Sequence, residues 1–166
     1  MVEDRVKFPS LEKLLELEKK ARLDGSGINY ESILGLWKFH SVWKQGADKA
    51  NTISSTLLQV LSASLELKTY QQKAENELFT IVNSIQFGIL TLKFSGIAEL
   101  ERKQPLLPFS FDCIQIKLLS FSIFKRSLPI PERNKRPFFA LIALDKKGKW
   151  LSARGKGGGL ALWEKG

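Results

Sequence analysis

Over most of its length the chain repeats short segments in which apolar and polar residues alternate, and this period of two predicts β-strands. In residues 34–43, for example, Trp37 and Phe39 fall on one face and Lys38 and His40 on the other. The alternation recurs in residues 62–68, 77–87, 88–101, 109–124, 137–144, 149–154 and 159–164. We therefore predict a mainly β chain of about eight short antiparallel strands, arranged as a small barrel or a sandwich.

The N-terminal part of the chain has a helical period instead. Residues 10–23 place leucines at helical spacing, Pro9 and Ser10 provide start signals, and residues 24–27 provide a stop. A helix this short is marginal in isolation, so we expect it to dock on the sheet. A helix that faces a membrane or a partner is the alternative, although its Glu and Lys are balanced and an interfacial helix is usually basic.

Three local patterns refine the strand prediction. Residues 52–61 are ambiguous and fit a short helix that leads into the strand at 62–68. Within residues 109–124, the apolar positions change from even-numbered to odd-numbered residues at Leu118–Leu119, which predicts a bulge, bend or local break there. The even-numbered residues are Ile114, Ile116 and Leu118, and the odd-numbered ones are Leu119, Phe121 and Ile123. Residues 145–148 predict a hairpin turn.

The charges are divided unevenly along the chain. Residues 1–92 carry 11 Lys or Arg and 11 Asp or Glu, whereas residues 93–166 carry 15 and 6, so the net charge of +9 lies in the second part. Such asymmetry favours an anionic membrane surface, a nucleic acid or an acidic protein as partner, and the alternative is a set of simply solvated cations. The two basic groups that we single out are Lys146, Lys147, Lys149 and Lys156, and, in a proline-marked loop, Arg133, Lys135 and Arg136.

The scarcity of reactive side chains argues against several kinds of enzyme. One cysteine, Cys113, cannot form an internal disulfide or a CxxC zinc site, and one histidine, His40, leaves little room for His-dependent chemistry. Ser41 is adjacent to His40 on a strand, so we expect the two side chains to diverge. Phosphate-binding and hydrolase motifs are missing from the sequence. The sequence therefore argues against a common hydrolase or metalloenzyme, and we predict no metal and no cofactor.

One polar residue, Asn83, interrupts an apolar strand face. A buried amide is costly unless it is hydrogen-bonded, so Asn83 either pins a neighbouring segment or acts as a polar anchor in a ligand cavity. For the cavity we predict that the lining residues are Phe79, Ile81, Leu92 and Phe94. The aromatic residues mostly alternate beside aliphatic ones, as in a core, so we do not expect nucleic acid as a partner.

Several motifs together resemble a known family. Gly35-Leu36-Trp37 opens the first strand and Arg154 lies on a late one, and a GxW strand with a cation on the last strand resembles the signature of calycin barrels. The order of the N-terminal helix, this strand, the Asn83 region and the closing segment 150–165 resembles the plastid lipid-associated protein family (fibrillins or plastoglobulins) of cyanobacteria and plastids. The resemblance covers about residues 8–166.

The resemblance implies a fold and a function. It implies one domain over residues 1–166, with a helix and turn over 8–27 and a lipocalin-like barrel over 33–166. It implies that Arg154 packs across Trp37 and closes one end of the barrel. It also implies a non-catalytic protein that binds hydrophobic metabolites, such as an isoprenoid quinone, a carotenoid or a lipid, at the surface of thylakoids or lipid globules.

Other functions fit parts of the same pattern. A structural subunit would dock an acidic protein through the basic C-terminal half, and a calycin-type chromophore lyase would aim acid–base groups into the barrel. The opening residues MVEDRVKFPS predict neither a secretory signal nor a transit peptide, and no apolar run reaches the roughly 18 residues that span a bilayer. We therefore expect a cytoplasmic protein at the periphery of the thylakoid membrane, or one in the plastid stroma.

Overall fold

A computed structural model describes residues 6–46, 63–70, 78–101 and 105–166 of the chain. Within these residues the protein is mainly β, with one α-helix, α1 (Leu11–Asp24), and 3-10 helices at Glu31–Ile33 and Arg133–Lys135. The nine strands of the described residues are β1 (Gly35–Trp43), β2 (Ser64–Thr69), β3 (Leu78–Phe87), β4 (Leu90–Glu99), β5 (Leu106–Leu118), β6 (Phe121–Ser127), β7 (Phe138–Leu144), β8 (Trp150–Gly155) and β9 (Leu160–Lys165).

Eight of these strands close into a ring. Around the ring the order is β1, β2, β3, β4, β5, β7, β8 and β9, every pairing is antiparallel, and β9 pairs again with β1. β6 stands outside the ring as the hairpin partner of the second half of β5. The predicted mainly β, barrel-like fold of about eight antiparallel strands is thus confirmed, with a ninth strand added at one side.

Several of the finer sequence predictions can be compared with these elements. The parity change at Leu118–Leu119 is a local break, because β5 ends at Leu118 and β6 begins at Phe121. The predicted turn at 145–148 joins β7 to β8. The ambiguous segment 52–61 lies outside the described residues.

α1 packs on the outer surface of the ring. Its N-terminus is capped by the Ser10 side chain, which accepts a hydrogen bond from the Lys13 amide at 3.3 Å. The buried Leu14 of α1 belongs to an apolar cluster under the helix, whose strand members are Trp43, Ile142, Ala143, Trp150, Leu160 and Leu162. The expectation that the N-terminal helix docks on the sheet is therefore confirmed.

The interior of the ring is filled by side chains and is covered at one end. Its buried members include Trp37, Leu65, Leu67, Phe79, Ile81, Leu107, Leu141, Leu151 and Trp163. Residues 28–34 cover one end of this core: Ile33 is fully buried, and the Tyr30 ring stacks on Phe79 with 4.2 Å between centroids. We call this end of the ring the closed end.

Toward the opposite end, the hydrogen-bonded pairing of described strands stops at two places in the ring, which we call seams. Within the described residues, the β1–β2 register runs from Gly35–Leu67 to Lys38–Ser64, and the β5–β7 register ends at Pro108–Phe138. Beyond these seams, β3, β4, β5 and β6 continue as a four-stranded sheet that projects past the ring. We call this end the open end.

Candidate functional site

The cation over Trp37 is Lys165 and not the predicted Arg154. Trp37 is fully buried, and its indole N–H donates to the Ile33 carbonyl at 2.8 Å. The Lys165 Nζ lies 4.1 Å from the centroid of the Trp37 ring and also donates to the Leu34 carbonyl. Burial lowers the pKa of Lys165. The closed end therefore has the predicted kind of closure, a cation against tryptophan, supplied by a different residue.

Arg154 points away from Trp37, to the outside of the ring. It follows the fully buried Ala153 on β8, and neighbours on a strand face opposite sides. Its Nε and Nη2 donate to the two carboxylate oxygens of Glu18 on α1 at 2.5 and 2.7 Å, and its Nη1 donates to the Gly158 carbonyl at 2.7 Å. These hydrogen bonds lower the pKa of Glu18 and raise that of Arg154. The predicted Trp37–Arg154 pair is wrong, and Arg154 anchors α1 to the ring.

Two of the predicted ligand-lining residues belong to the filled core. Phe79 and Ile81 on β3 have no exposed surface, and they pack among the other buried residues of the ring. Neither side chain is accessible to a ligand in this structure. The prediction that they line a ligand site is therefore corrected. Alternation identified the inward face of β3, but the position of a residue along the strand decides whether it lies in the filled core or is accessible to a ligand.

The other three predicted residues, Asn83, Leu92 and Phe94, lie on the sheet that projects from the open end. We call residues 83–95 and 113–127 the sheet extension. Its inward face consists of cross-strand rows, because paired residues share a face. From the ring outward the rows are Asn83, Phe94, Ile114 and Arg126, then Ile85, Leu92, Ile116 and Phe124, and last Phe87, Leu90, Leu118 and Phe121.

This face is apolar; its outermost row is exposed, and most of its two inner rows is half-buried. Of the twelve large apolar side chains that are exposed among the described residues, eight lie in the sheet extension. Phe87 is 68% exposed, Leu119 64% and Phe121 72%. Apolar surface concentrated in one place marks an interaction site, whereas single exposed residues are ordinary. The sheet extension is therefore the candidate site of the protein.

The apolar face continues into the core through a line of aromatic rings. Phe94 lies 5.6 Å from Phe111, which lies 5.3 Å from Phe109. Phe109 stacks on Phe139 at 5.0 Å, and Phe139 meets Trp163 edge-on at 5.5 Å. An apolar molecule on the extension would thus rest against the filled core rather than enter a lumen.

Asn83 and Arg126 are the polar members of the row nearest the ring. Asn83 is half-buried, and its amide makes no side-chain hydrogen bond within the part of the chain that the structure describes. The structure therefore does not show the first alternative, in which the Asn83 amide is hydrogen-bonded and pins a neighbouring segment. Its amide is available to a polar group of a ligand whose body lies on the apolar rows.

The opposite face of the sheet extension is polar and cationic. Its rows are Ser84, Lys93, Gln115 and Lys125, and then Gln86, Thr91, Lys117 and Ser122. The sequence of the extension contains four Lys or Arg, Lys93, Lys117, Lys125 and Arg126, and no Asp or Glu. The extension is thus amphipathic, with a uniformly positive charge.

Two linked turns form the tip of the extension. The β3–β4 turn places Gly88 at a φ of 56°, and the β5–β6 turn places Leu119 at a φ of 54°. The Leu119 amide donates to the Ile89 carbonyl at 2.7 Å, which ties the two turns together. Glycine adopts this backbone region freely, whereas a leucine there costs about 1–2 kcal/mol. Leu119 is the one non-glycine residue with a positive φ among the described residues.

The predicted basic residues divide between the two ends of the ring. Lys146, Lys147 and Lys149 lie in the turn before β8, at the closed end, whereas Lys156 follows β8 at the open end. The Lys156 Nζ donates to the carbonyls of Asn134 at 3.4 Å and Arg136 at 3.2 Å. Lys156 therefore groups with Arg133, Lys135 and Arg136, and its predicted grouping with the other lysines is corrected.

His40 and Ser41 do not diverge as expected. The His40 Nδ1 lies 2.7 Å from the Ser41 Oγ, because the β1–β9 register shifts between Phe39 and Ser41 and breaks the strand alternation. The His40 ring packs on Phe8 with 3.9 Å between centroids, and burial lowers its pKa. The predicted divergence of the two side chains holds for a regular strand and is wrong at this bulge.

The fold and the site together define a mainly β, barrel-like protein with a filled interior and an amphipathic sheet extension at its open end. No family model, curated protein or solved structure matches the chain. None of the helices in the described ranges is long and apolar enough to cross a membrane. Sequence reasoning missed Lys165, Glu18 and Leu119, although the parity change at Leu118–Leu119 and the acid-free run 113–127 were visible signals.

Proposed function

We propose that the protein is a non-catalytic binding protein for hydrophobic metabolites, such as an isoprenoid quinone, a carotenoid or a lipid, at the surface of thylakoids or lipid globules. The observation that carries the proposal is the apolar face of the sheet extension, which is exposed at its outermost row and continuous with the aromatic line of the core. This surface takes the place of the ligand cavity that the sequence predicted around Asn83. The resemblance to plastid lipid-associated proteins supplies the metabolite class and the location.

Binding to this face follows from its area and its polar edge. Burial of an isoprenoid tail against the rows of Leu92 and Leu90 contributes about 25 cal/mol for each Å² removed from water. Asn83 and Arg126 at the inner row suit a carbonyl or phosphate head group. Acid–base chemistry of the kind a chromophore lyase needs would require titratable groups on this face, and its three rows offer only the Arg126 guanidinium. This composition favours binding over catalysis.

A pair of variants at neighbouring positions tests the site. Leu92→Glu places a charge on the apolar face, whereas Thr91→Glu places the same charge one residue away on the polar face. We expect a short-chain isoprenoid quinone to quench the tryptophan fluorescence of the wild type and of Thr91→Glu at similar concentrations. We expect Leu92→Glu to need at least about ten-fold more quinone, because a carboxylate must be desolvated for the tail to bind.

The result that would contradict the proposal is equal quenching of Leu92→Glu and Thr91→Glu, with both variants showing the circular dichroism and melting curve of the folded protein. The absence of saturable quenching in the wild type would contradict it as well. A second variant, Phe94→Ser, removes apolar area without adding a charge and should weaken binding in the same direction.

A further inference from the structure

We propose that the tip of the sheet extension inserts into the interface of an anionic lipid bilayer, with the two linked turns entering first. The proposal rests on the proposed function, since it identifies the surface from which the same apolar face would take its ligand. The tip consists of the outermost row and the turn residues, namely Phe87, Ile89, Leu90, Leu118, Leu119 and Phe121. All six side chains are exposed.

The geometry of the tip suits a bilayer better than a shaped partner. Four of the six side chains form a single cross-strand row at the ends of two adjacent hairpins, and the other two, Ile89 and Leu119, lie in the turns that follow. The four are Phe87, Leu90, Leu118 and Phe121. A projecting apolar end needs no complementary pocket in order to enter an acyl–headgroup boundary. The inward face cannot lie flat on a membrane, since it continues into the core of the ring.

The position of the cations behind the tip indicates anionic lipid. Lys117 stands about one residue, or 3.4 Å, behind the outermost row, and Lys93 and Lys125 stand about three residues, or 10 Å, behind it. The headgroup layer is about 5–7 Å thick on each side of a bilayer. When the tip reaches the acyl boundary, Lys117 therefore lies among the headgroups, and the long side chains of Lys93 and Lys125 reach them. With no carboxylate in the extension, nothing in it repels an anionic surface.

Leu119 provides an independent reason to assign a role to the tip. The corresponding position of the β3–β4 turn holds Gly88, which suits a positive φ, yet the β5–β6 turn keeps a leucine there with its side chain in solvent. Local stability does not account for a leucine that is both strained and exposed. Insertion into a bilayer would bury this side chain and so gives the position a function.

The test is a vesicle-binding assay with the full chain and three variants. Sedimentation with phosphatidylcholine vesicles that contain about 30% phosphatidylglycerol should bind the wild type, and pure phosphatidylcholine should bind it at least about 25-fold more weakly, since each surface cation contributes about five-fold. Lys117→Gln with Lys125→Gln should lose about 25-fold on anionic vesicles. Leu119→Gly should lose about ten-fold, and its melting temperature should not fall, because glycine relieves the strained φ.

The controls separate the tip from other surfaces. Leu23→Ser removes a leucine of α1 that is even more exposed than Leu119 and should leave vesicle binding unchanged. Three results would overturn the proposal: no binding to anionic vesicles, equal binding to both compositions, or binding that survives Leu119→Gly but is lost in Lys146→Gln with Lys147→Gln at the closed end. Capture by polyglutamate but not by vesicles would assign the extension to an acidic protein instead, which also overturns it.

The vesicle assay and the quinone titration test the two proposals independently of each other. Quenching by quinone in vesicle-free solution depends on the inward face, through Leu92, and is insensitive to Leu119→Gly. If quenching persists while vesicle binding is absent, the bilayer proposal is wrong and the binding function stands. If quenching is absent while vesicles bind through the tip, the metabolite proposal is wrong and the docking surface stands.

Discussion

Replacing Trp37 with alanine is expected to lower the free energy of unfolding by about 3–5 kcal/mol, as for other fully buried aromatic residues. Trp37 has no exposed surface, hydrogen-bonds the Ile33 carbonyl and carries Lys165 above its ring. The loss would therefore combine a cavity, an unpaired Ile33 carbonyl and the lost contact between Lys165 and the Trp37 ring at the closed end. Urea denaturation monitored by circular dichroism measures it, and a loss below about 1 kcal/mol would contradict this description of the closed end.

A double-mutant cycle identifies the cation that acts with Trp37. Trp37→Phe combined with Lys165→Met should show a coupling energy of about 0.5–1 kcal/mol, which is the range for a partly exposed cation–π pair. Trp37→Phe combined with Arg154→Met should be additive, because Arg154 binds Glu18 on the outer surface. Coupling to Arg154 and additivity with Lys165 would restore the pairing that the sequence suggested.

The second large effect is expected at the Glu18–Arg154 pair, which holds α1 on the ring. Glu18→Gln should lower the free energy of unfolding at neutral pH by about 2 kcal/mol. This is less than for a fully enclosed pair, because the side chains of Arg154 and Glu18 keep 18% and 10% of their exposure. The matched control is Glu16→Gln on the same helix, whose ion pair with Lys13 is exposed and should contribute little.

The contribution of Glu18 should depend on pH with a definite sign. Its hydrogen bonds from Arg154 hold its pKa below the usual value of 4.5, so the folded state binds the proton less readily than the unfolded chain. The stabilisation is then fully present above about pH 4.5 and is lost as the pH falls through the lower, folded-state pKa. The difference between the wild type and Glu18→Gln should accordingly shrink at about pH 3. A difference that is the same at both pH values would contradict the assignment.

Most of the fold could be predicted from the sequence, because the alternation of apolar and polar residues is a local property of each strand. Each half-buried strand showed its two faces, and the parity change at Leu118–Leu119 marked the boundary between β5 and β6. The alternation gives no information on the register between strands. The assignment of a cation to Trp37 needed the β1–β9 register, which places Lys165 opposite Trp37. The His40–Ser41 contact arises from a bulge in that same register.

The site depended on the same missing information. Asn83, Leu92 and Phe94 were identified from the apolar faces of single strands, and the structure brings them to one surface. Phe79 and Ile81 have the same sequence pattern, but they lie within the ring, where residues 28–34 and the neighbouring strands cover them. The distinction between core and site is therefore set by where β3 leaves β2, at Ser84, which no local pattern specifies.

The most direct test of the central claim is native mass spectrometry with lipid extraction on the full chain produced in a cyanobacterial host. If the inward face of the sheet extension is the binding site, the wild type and Thr91→Glu should carry a hydrophobic molecule at a defined stoichiometry, and Leu92→Glu should appear at its apo mass. Apo masses for all three proteins, even after incubation with a thylakoid lipid extract, would contradict the account, as would a molecule that Leu92→Glu retains in full.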